Sequence, residues 1–251
     1  MRIYADLGLP AIVRTNELPW VPSPVPGVDR RMLERNGDEV ARATSLVRYA
    51  PRSRFSEHVH GGGEEVLVLE GIFADEHGEF PAGTYLRNPV GSAHSPRSAV
   101  GCVLFVKLHW MHADDRQTVR ARLDQQVADE GWTLLEDDRS SEIRRALERD
   151  PPLDGDRDRI AGVFLRRLHA FRDESTSLCR MEPGAAVEGW PNPGGLELLV
   201  IDGSCSVERQ RLGRHGWARM PPGCAPTIAS SEGCSLLLKQ GHLRLPPPLP
   251  T

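Results

Sequence analysis

Apolar residues along this chain occur mostly in short runs, and glycine or proline bounds many of them. The stretches VLVLEG (66–71) and VLFVKL (103–108) are typical examples. Runs of this length favour buried strands over helices, and helical periodicity is rare elsewhere in the chain. The 24 glycines and 21 prolines fit many short strands that are joined by tight turns. The pattern therefore predicts an all-β protein of the jelly-roll type, in which two sheets pack face to face.

The chain also repeats itself at a spacing of 132 residues, and no gap is needed between residues 44 and 107. The aligned segments are TSLVRYAP (44–51) with TSLCRMEP (176–183), GGEEVLVLEG (62–71) with GGLELLVIDG (194–203), and GCVLFVK (101–107) with GCSLLLK (233–239). So many shared glycines, prolines and cysteines at one spacing predict an internal duplication, with two similar β units in tandem.

The repeat predicts two domains and a linker. Residues 1–113 are predicted to form an N-terminal metal-binding domain, and residues 159–251 a C-terminal domain without metal ligands. The charged segment 114–158 between them contains SEIRRALERD (141–150), which predicts a short helix that ends before the following prolines. The alternating segment VRARLD (119–124) is a candidate leading strand of the second domain.

The stretch HVHGGGEE (58–65) concentrates side chains that bind metal ions. Four side chains of the first domain that can bind a metal are replaced in the second. His58 aligns with Trp190, His60 with Asn192, Glu64 with Leu196, and His94 with Pro226. The glycines and prolines around them are retained, so the four residues are lost as a group while the framework stays. We therefore predict a metal site in the first domain and none in the second. Glu65 aligns with Glu197, which indicates a structural role for Glu65 and leaves Glu64 as the ligand.

Three imidazoles and one carboxylate form a suitable ligand set for one divalent ion. His58 and His60 are two residues apart, so they face the same side of a strand, and Glu64 can keep that parity. His94 comes from a later strand. The set suits Zn, Fe, Mn, Ni or Cu, and it leaves one or two coordination positions for water or a small molecule.

These residues resemble the two sequence motifs of the cupin superfamily. The matching patterns are His58-x-His60-x3-Glu64-x6-Gly71 for the first motif and Gly83-x5-Pro89-x-Gly91-x2-His94 for the second. Two positions depart from the motifs, because Arg52 stands where a glycine is expected and Ser98 where an asparagine is expected. Both departures concern the framework and not the candidate ligands.

Within the cupins, residues 10–112 and, more weakly, residues 160–243 resemble the ChrR-like group. That group is named for an anti-sigma factor whose cupin domain binds zinc. The resemblance implies two tandem cupin barrels (double-stranded β-helices) and the four metal ligands given above. It also implies zinc as the first expectation for the ion, with Fe, Mn or Ni as alternatives. The sigma-binding domain of the group has a HxxxCxxC motif that does not occur here, so sigma factor binding is not expected.

Arg54, Tyr85 and Arg87 are candidate pocket-lining residues. Tyr85 and Arg87 have an aromatic residue and an arginine at the equivalent positions of the second domain, which favours core packing and salt bridges as the alternative. Arg54 aligns with Ala186, so it is present only in the domain with the candidate ligands. It is a candidate for binding an anionic ligand, with a solvated surface arginine as the alternative.

Three functions are compatible with such a site. The first, which the ChrR resemblance favours, is a sensor or binding protein that holds a small molecule at the metal. The second is a metal-dependent dioxygenase-type enzyme that acts on a small dicarbonyl or a thiol. The third is a zinc ion with a structural role only. No residue in the sequence stands out as a dedicated general acid or base.

Composition narrows the classes of partner. The net charge of −4 and the scattered arginines do not predict nucleic-acid binding. No apolar run is long enough to cross a membrane, and no signal peptide is recognised, so we expect a cytoplasmic protein. The five cysteines include no CxxC pair, which argues against a disulfide framework or a thiolate zinc site. Edge strands of jelly rolls often pair, so a homodimer is expected.

Overall fold

The computed structural model describes residues 1–123, 133–134, 162–244 and 246. Regular structure in these residues is almost entirely β-strand, with one short 3-10 helix at Thr15–Glu17. The all-β prediction is confirmed for this part of the chain. The helix predicted at 141–150 lies outside the described residues. No helix in the described ranges is both long and apolar enough to cross a membrane.

The strands are numbered in chain order. Those up to residue 123 are β1 (Arg2–Ile3), β2 (Ala11–Val13), β3 (Val21–Pro22), β4 (Val28–Gly37), β5 (Ala41–Tyr49), β6 (Ser53–Arg54), β7 (His58–Val59), β8 (Glu64–Asp75), β9 (Gly78–Pro81), β10 (Thr84–Asn88), β11 (Ala93–His94), β12 (Arg97–Ser98), β13 (Cys102–Leu108) and β14 (Val119–Arg122). The later strands are β15 (Thr133–Leu134), β16 (Val163–Phe171), β17 (Glu174–Met181), β18 (Ala186–Val187), β19 (Leu196–Gly203), β20 (Cys205–Val207), β21 (Gln210–Leu212), β22 (Trp217–Met220), β23 (Ile228–Ala229) and β24 (Cys234–Gln240).

The chain forms two compact units, each with its own core. Among the described residues, the first unit contains residues 1–5, 17–123 and 246, and the second contains residues 6–16, 133–134 and 162–244. Each unit combines a large antiparallel sheet with a smaller group of short strands, as the jelly-roll prediction requires.

In the first unit the large sheet has the strand order β1-β4-β5-β13-β8-β10-β14. The second half of the long strand β8 leaves this sheet and pairs with β9 and β12, while β7 pairs with β11. Alternate residues of β8 and β10, such as Val66, Val68 and Leu86, are buried in one core with Phe73 and Leu104. This core therefore lies on the inner face of the large sheet.

The second unit repeats the central strand order, because β17-β24-β19-β22 corresponds to β5-β13-β8-β10. The repeat extends to an irregularity in the pairing. The register of β13 with β8 skips Leu69, and the register of β24 with β19 skips Ile201, which is the equivalent residue. A shared bulge at equivalent positions supports duplication of one ancestral unit.

The shared glycines have a steric reason that is clear at Gly71. Its φ is +70°, and a Cβ atom there would lie 2.0 Å from Gly101 O. The equivalent Gly203 has a φ of +74°, and its Cβ would lie 2.3 Å from Gly233 O. No other residue fits so close an approach of two strands, which explains why the glycine is present in both repeats.

Each unit also contains one strand that the repeat alone does not assign. The segment 119–124, expected to lead the second unit, contains β14, and β14 pairs with β10 of the first unit instead. The matching position in the second unit is filled by β2, which pairs with β22. The alternating pattern predicts that the segment is a strand, but it holds no information about the partner.

Candidate metal centre

The four predicted ligands lie at one end of the core of the first unit. His58 begins β7 and stands directly opposite His94 of β11. His60 follows β7 in the chain, and Glu64 is the first residue of β8. Glu64 shares the inward face of β8 with the core residue Val66. The same strands that build the core therefore position the candidate ligands.

The three histidines form a compact cluster. One ring nitrogen from each of His58, His60 and His94 lies within 4.8 Å of the other two. Glu64 Oε2 is 3.6 Å from His60 Nε2 and 3.5 Å from His94 Nε2. His60 and His94 are only 4% and 2% exposed, whereas His58 is half-buried. Among the described residues, these histidines are the one group of three or more side chains with metal-ligand geometry.

The residues fit a metal ion, because two buried ring nitrogens have no hydrogen-bond partner among the residues that the structure describes. These atoms are Nε2 of His60 and Nε2 of His94. A buried polar atom without a partner costs roughly 1–3 kcal/mol, and a divalent ion among the nitrogens would bind both lone pairs. Burial lowers the pKa of His60 below its ordinary value, in spite of the nearby Glu64 carboxylate. His60 is therefore held in the neutral form that binds metals.

Hydrogen bonds at Nδ1 orient two of the rings. His94 Nδ1 lies 3.2 Å from Asp75 Oδ2, and His58 Nδ1 lies 3.1 Å from Ser56 O. Because a carboxylate or carbonyl oxygen can only accept, both rings carry their proton on Nδ1 and leave Nε2 free to bind an ion. The Asp75–His94 pair is the usual carboxylate–histidine arrangement behind a metal ligand.

Hydrogen bonds keep the buried Asp75 side chain behind His94 in its ionised form. Burial alone would raise the pKa of Asp75, but hydrogen bonds from the His94 ring and the His77 backbone N–H hold that pKa below its ordinary value. Burial alone would lower the pKa of His94, but Asp75 and Glu64 raise it overall. Asp75 is therefore a carboxylate in the folded protein, which is the form that orients the ring.

The two adjacent glutamates point to opposite faces of β8. Glu64 Oε2 accepts a hydrogen bond of 2.9 Å from Asn88 Nδ2, on the side of the histidines. Glu65 Oε1 accepts one of 2.7 Å from Tyr85 Oη. The equivalent contact in the second unit is a 2.9 Å bond from Trp217 Nε1 to Glu197 Oε1. Glu65 thus takes part in a framework contact that both units share.

Three further side chains support the cluster, and sequence reasoning missed them. They are Asp75 behind His94, Asn88 beside Glu64, and Arg120, whose Nη2 donates to Asn88 Oδ1 at 2.7 Å. The repeat contained a signal for the first two, because Asp75 aligns with Val207 and Asn88 with Met220. These polar residues are also absent from the second unit.

The three candidate pocket residues lie in other environments. Arg87 is fully buried and pairs with Asp115, with 2.5 Å between Nη2 and Oδ2. Tyr85 binds Glu65, and both Tyr85 and Arg87 face away from Asn88 because successive residues of β10 alternate. Arg54 is exposed on β6, opposite Arg97 of β12. None of the three lines the cleft beside the histidines.

A cleft of about 270 Å³ opens beside the cluster. His94 and Asn88 line it from the side of the candidate ligands, and Arg120 and His77 line other parts of it. The histidine cluster therefore lies next to a space that a small molecule can enter.

The second unit fills the equivalent positions with other chemistry. Trp190 and Leu196 are 0% and 1% exposed and belong to an apolar core. Asn192 donates hydrogen bonds to the backbone oxygens of Met220 and Pro221. The tryptophan and leucine side chains thus occupy space that the histidines and Glu64 occupy in the first unit.

The fold of the whole chain is similar to that of solved cupin structures. A cupin 2 conserved barrel domain protein from Leptotrichia buccalis aligns with a TM-score of 0.55 and 13% identity, over 96% of this chain and 99% of that one. The bacterial pirin YhhW from Escherichia coli, solved in complex with nickel(II), aligns with a TM-score of 0.61 and 14% identity, over 96% and 100%. Salicylate 1,2-dioxygenase from Pseudaminobacter salicylatoxidans aligns with a TM-score of 0.60 and 11% identity, over 96% and 86%. At these identities the likeness establishes the fold, which is that of two tandem cupin barrels.

A search of curated proteins found no match to the sequence. The model of the ChrR cupin-like domain family matches residues 10–112. This range contains all four candidate ligands and both motifs from which the resemblance was predicted. Residues 10–112 of this chain are therefore similar to the ChrR cupin-like domain family.

Proposed function

We propose that the first unit binds one divalent metal ion through His58, His60, Glu64 and His94, and that a small molecule binds at this ion. The observation that carries the proposal is a pair of buried Nε2 atoms, those of His60 and His94, that have no hydrogen-bond partner in the described part of the chain. They lie 3.6 Å and 3.5 Å from Glu64 Oε2. Asp75 supports the metal-binding tautomer of His94, and Asn88 fixes Glu64. Both contacts would hold a ligand in the orientation that a bound ion requires.

Zinc is the ion that we expect, and the same donors suit Fe, Mn or Ni. When bound, such an ion acts as a Lewis acid that polarises an oxygen-containing ligand. The protein residues contribute the neutral imidazoles, the fixed carboxylate and the adjacent cleft. The nickel(II) found in YhhW belongs to that protein, but it supports the general point that a cupin barrel of this kind can hold a transition metal.

The cleft favours an exchangeable site over a structural one. Structural zinc sites are usually closed and tetrahedral, and they often use thiolates. Here the cluster contains no cysteine, and a cleft of about 270 Å³ reaches His94. We therefore favour a sensor or binding function, in which a small molecule occupies a coordination position that the protein leaves open.

A dioxygenase-type activity on a small dicarbonyl or a thiol is the second candidate. The open cleft beside the ligand set supports it, and salicylate 1,2-dioxygenase shares the fold. The two candidates differ in one measurable property, because the enzyme consumes oxygen in the presence of its substrate and the binding protein does not.

The test begins with metal analysis of the purified protein. We expect about one ion per chain, a loss of that ion in His94→Ala, and normal content in the control variant His112→Ala. Iron-loaded protein is then assayed in an oxygen electrode with β-dicarbonyls and small thiols. Oxygen uptake that disappears in His94→Ala supports the enzyme, and a bound ion without uptake supports the binding protein. Wild-type protein that takes up no metal contradicts the proposal.

A chelator separates the structural alternative from the other two. The core of the first unit is built from apolar side chains and includes none of the four candidate ligands, so removal of the ion by EDTA should leave the circular dichroism spectrum unchanged. Unfolding on chelation, as happens when a metal supplies the folding free energy, would favour a structural role.

A further inference from the structure

The cleft beside the histidine cluster is lined largely by polar side chains, and one of them is a cation. Its polar side chains are His77, Asn88, Ser92, His94, Thr118 and Arg120. None of the described residues that line it is acidic, and Arg120 is a permanent cation. The two carboxylates nearby are already engaged, since Glu64 accepts from Asn88, and Asp75 accepts from the His94 ring and the His77 backbone. The accessible surface of the cleft is therefore suited to an anion.

Arg120 is fixed in place, unlike an ordinary solvated arginine. Its Nη1 donates to Arg87 O at 3.0 Å and to Val119 O at 2.8 Å, and its Nη2 donates to Asn88 Oδ1 at 2.7 Å. Nε donates no hydrogen bond within the described part of the chain and remains available to a ligand. A guanidinium that is already ordered loses little side-chain entropy when it binds a ligand.

The second unit provides an internal control for Arg120. In the first unit Arg120 pairs with Leu86 of β10, and in the second unit Ile12 pairs with Ala218, the equivalent of Leu86. Ile12 packs against the apolar core of its unit. The arginine is thus present only in the unit that carries the histidine cluster, as is its partner Asn88.

We propose that this cleft binds a small organic carboxylate and that Arg120 pairs with the carboxylate group. A planar guanidinium matches a carboxylate in shape and charge, and such charge-assisted hydrogen bonds are stronger than neutral ones. The volume of about 270 Å³ lies just below the usual range of roughly 300–1,000 Å³ for ligand pockets, which indicates a compact ligand. The ligand's position next to a metal rests on the proposed function, whereas its pairing with Arg120 does not.

Isothermal titration calorimetry on zinc-loaded protein tests the proposal. The probes are acetate, succinate and benzoate, each compared with its neutral amide. We expect at least one carboxylate to bind, and to bind about tenfold or more tightly than its amide, because a charge-assisted hydrogen bond is lost in the amide. Arg120→Met should remove this preference and Arg120→Lys should restore part of it. Arg116→Met, an exposed arginine of the same segment that does not line the cleft, serves as the matched control and should bind as wild type.

The outcomes separate this proposal from the metal proposal. Equal affinity for carboxylates and amides, no binding of any carboxylate, or an unchanged preference in Arg120→Met overturns the role of Arg120, whatever the metal content. Carboxylate binding that depends on Arg120 in protein that takes up no metal supports the carboxylate site and contradicts the metal site. Circular dichroism and the zinc content at saturation are measured for each variant. Both should match wild type in Arg120→Met, because Arg120 contacts Asn88 and not one of the four candidate ligands.

Discussion

Replacement of Asp75 by asparagine tests whether the buried network behind His94 exists to support a metal ligand. Asp75 is 1% exposed, and both of its oxygens are used: Oδ2 accepts from His94 Nδ1 at 3.2 Å and Oδ1 accepts from the His77 backbone N–H at 2.7 Å. An amide has the same shape but only one acceptor oxygen. In Asp75→Asn the amide places either its oxygen or its N–H₂ group towards His94. In both orientations one of the two donors loses its acceptor.

Either outcome weakens metal binding. An amide N–H that donates to His94 Nδ1 forces the ring proton onto Nε2, the atom that would bind the ion. An amide oxygen in the same place keeps the tautomer, but it removes the negative charge that makes the imidazole a stronger ligand for the metal. Loss of such a supporting carboxylate typically costs about 10–100-fold in metal affinity, or roughly 1.4–2.8 kcal/mol. We expect the upper half of this range because the pair is buried.

The assay is competition for zinc with a fluorescent chelator at pH 7.5, on wild type, Asp75→Asn and Glu79→Gln. Glu79 is an exposed acidic residue of β9, which pairs with β8, and it serves as the control for loss of one negative charge. A thermal melt of the metal-free proteins checks that the fold is kept. An affinity of Asp75→Asn within about twofold of wild type would refute the reasoning, because it would show that the orientation of His94 does not matter.

Three further predictions concern other parts of the two units. Glu64→Gln should weaken zinc binding at least tenfold, roughly the cost of losing a supporting carboxylate. Glu65→Gln should keep the zinc but lower the free energy of unfolding in urea by about 1 kcal/mol, because a charged acceptor becomes neutral. Equal zinc affinities of the two variants would contradict the assignment of Glu64 as the ligand. Trp190→Ala should lower the free energy of unfolding by about 3–5 kcal/mol without any effect on zinc content, because the indole is fully buried in an apolar core. Thiol labelling of the native protein at pH 8, read by peptide mass spectrometry, should modify only the half-buried Cys224 quickly. Burial raises the pKa of Cys102 to about 11, so only about a thousandth of that thiol is ionised at this pH. Fast labelling of Cys102 would disprove its burial.

The repeat made much of the site predictable. Loss of the histidines in the second copy, with the glycines retained, predicted which side chains would meet, and the structure brings His58, His60 and His94 together. The distinction between Glu64 and Glu65 has a simple physical origin. Successive residues of a strand face opposite sides, and only the framework side is common to both copies.

Other features of the site depend on which strands are neighbours in the sheet, and a single sequence does not show this. The alternation of residues 119–122 predicts a strand but not its neighbour, and that neighbour brings Arg120 to the cleft. Arg120 lies outside the aligned repeat, so its equivalence to Ile12 is visible only in the strand register. Asp75 could have been found by comparison with Val207, but one polar-to-apolar change means little until the contact with His94 is known.

Metal analysis combined with anomalous diffraction tests the central claim most directly. The account predicts one ion per chain, located in the first unit at about 2.0–2.2 Å from nitrogens of the three histidines and from a Glu64 oxygen, and absent from His94→Ala. Protein without a bound ion after loading, or an ion located among Trp190 and its neighbours in the second unit, would contradict the account.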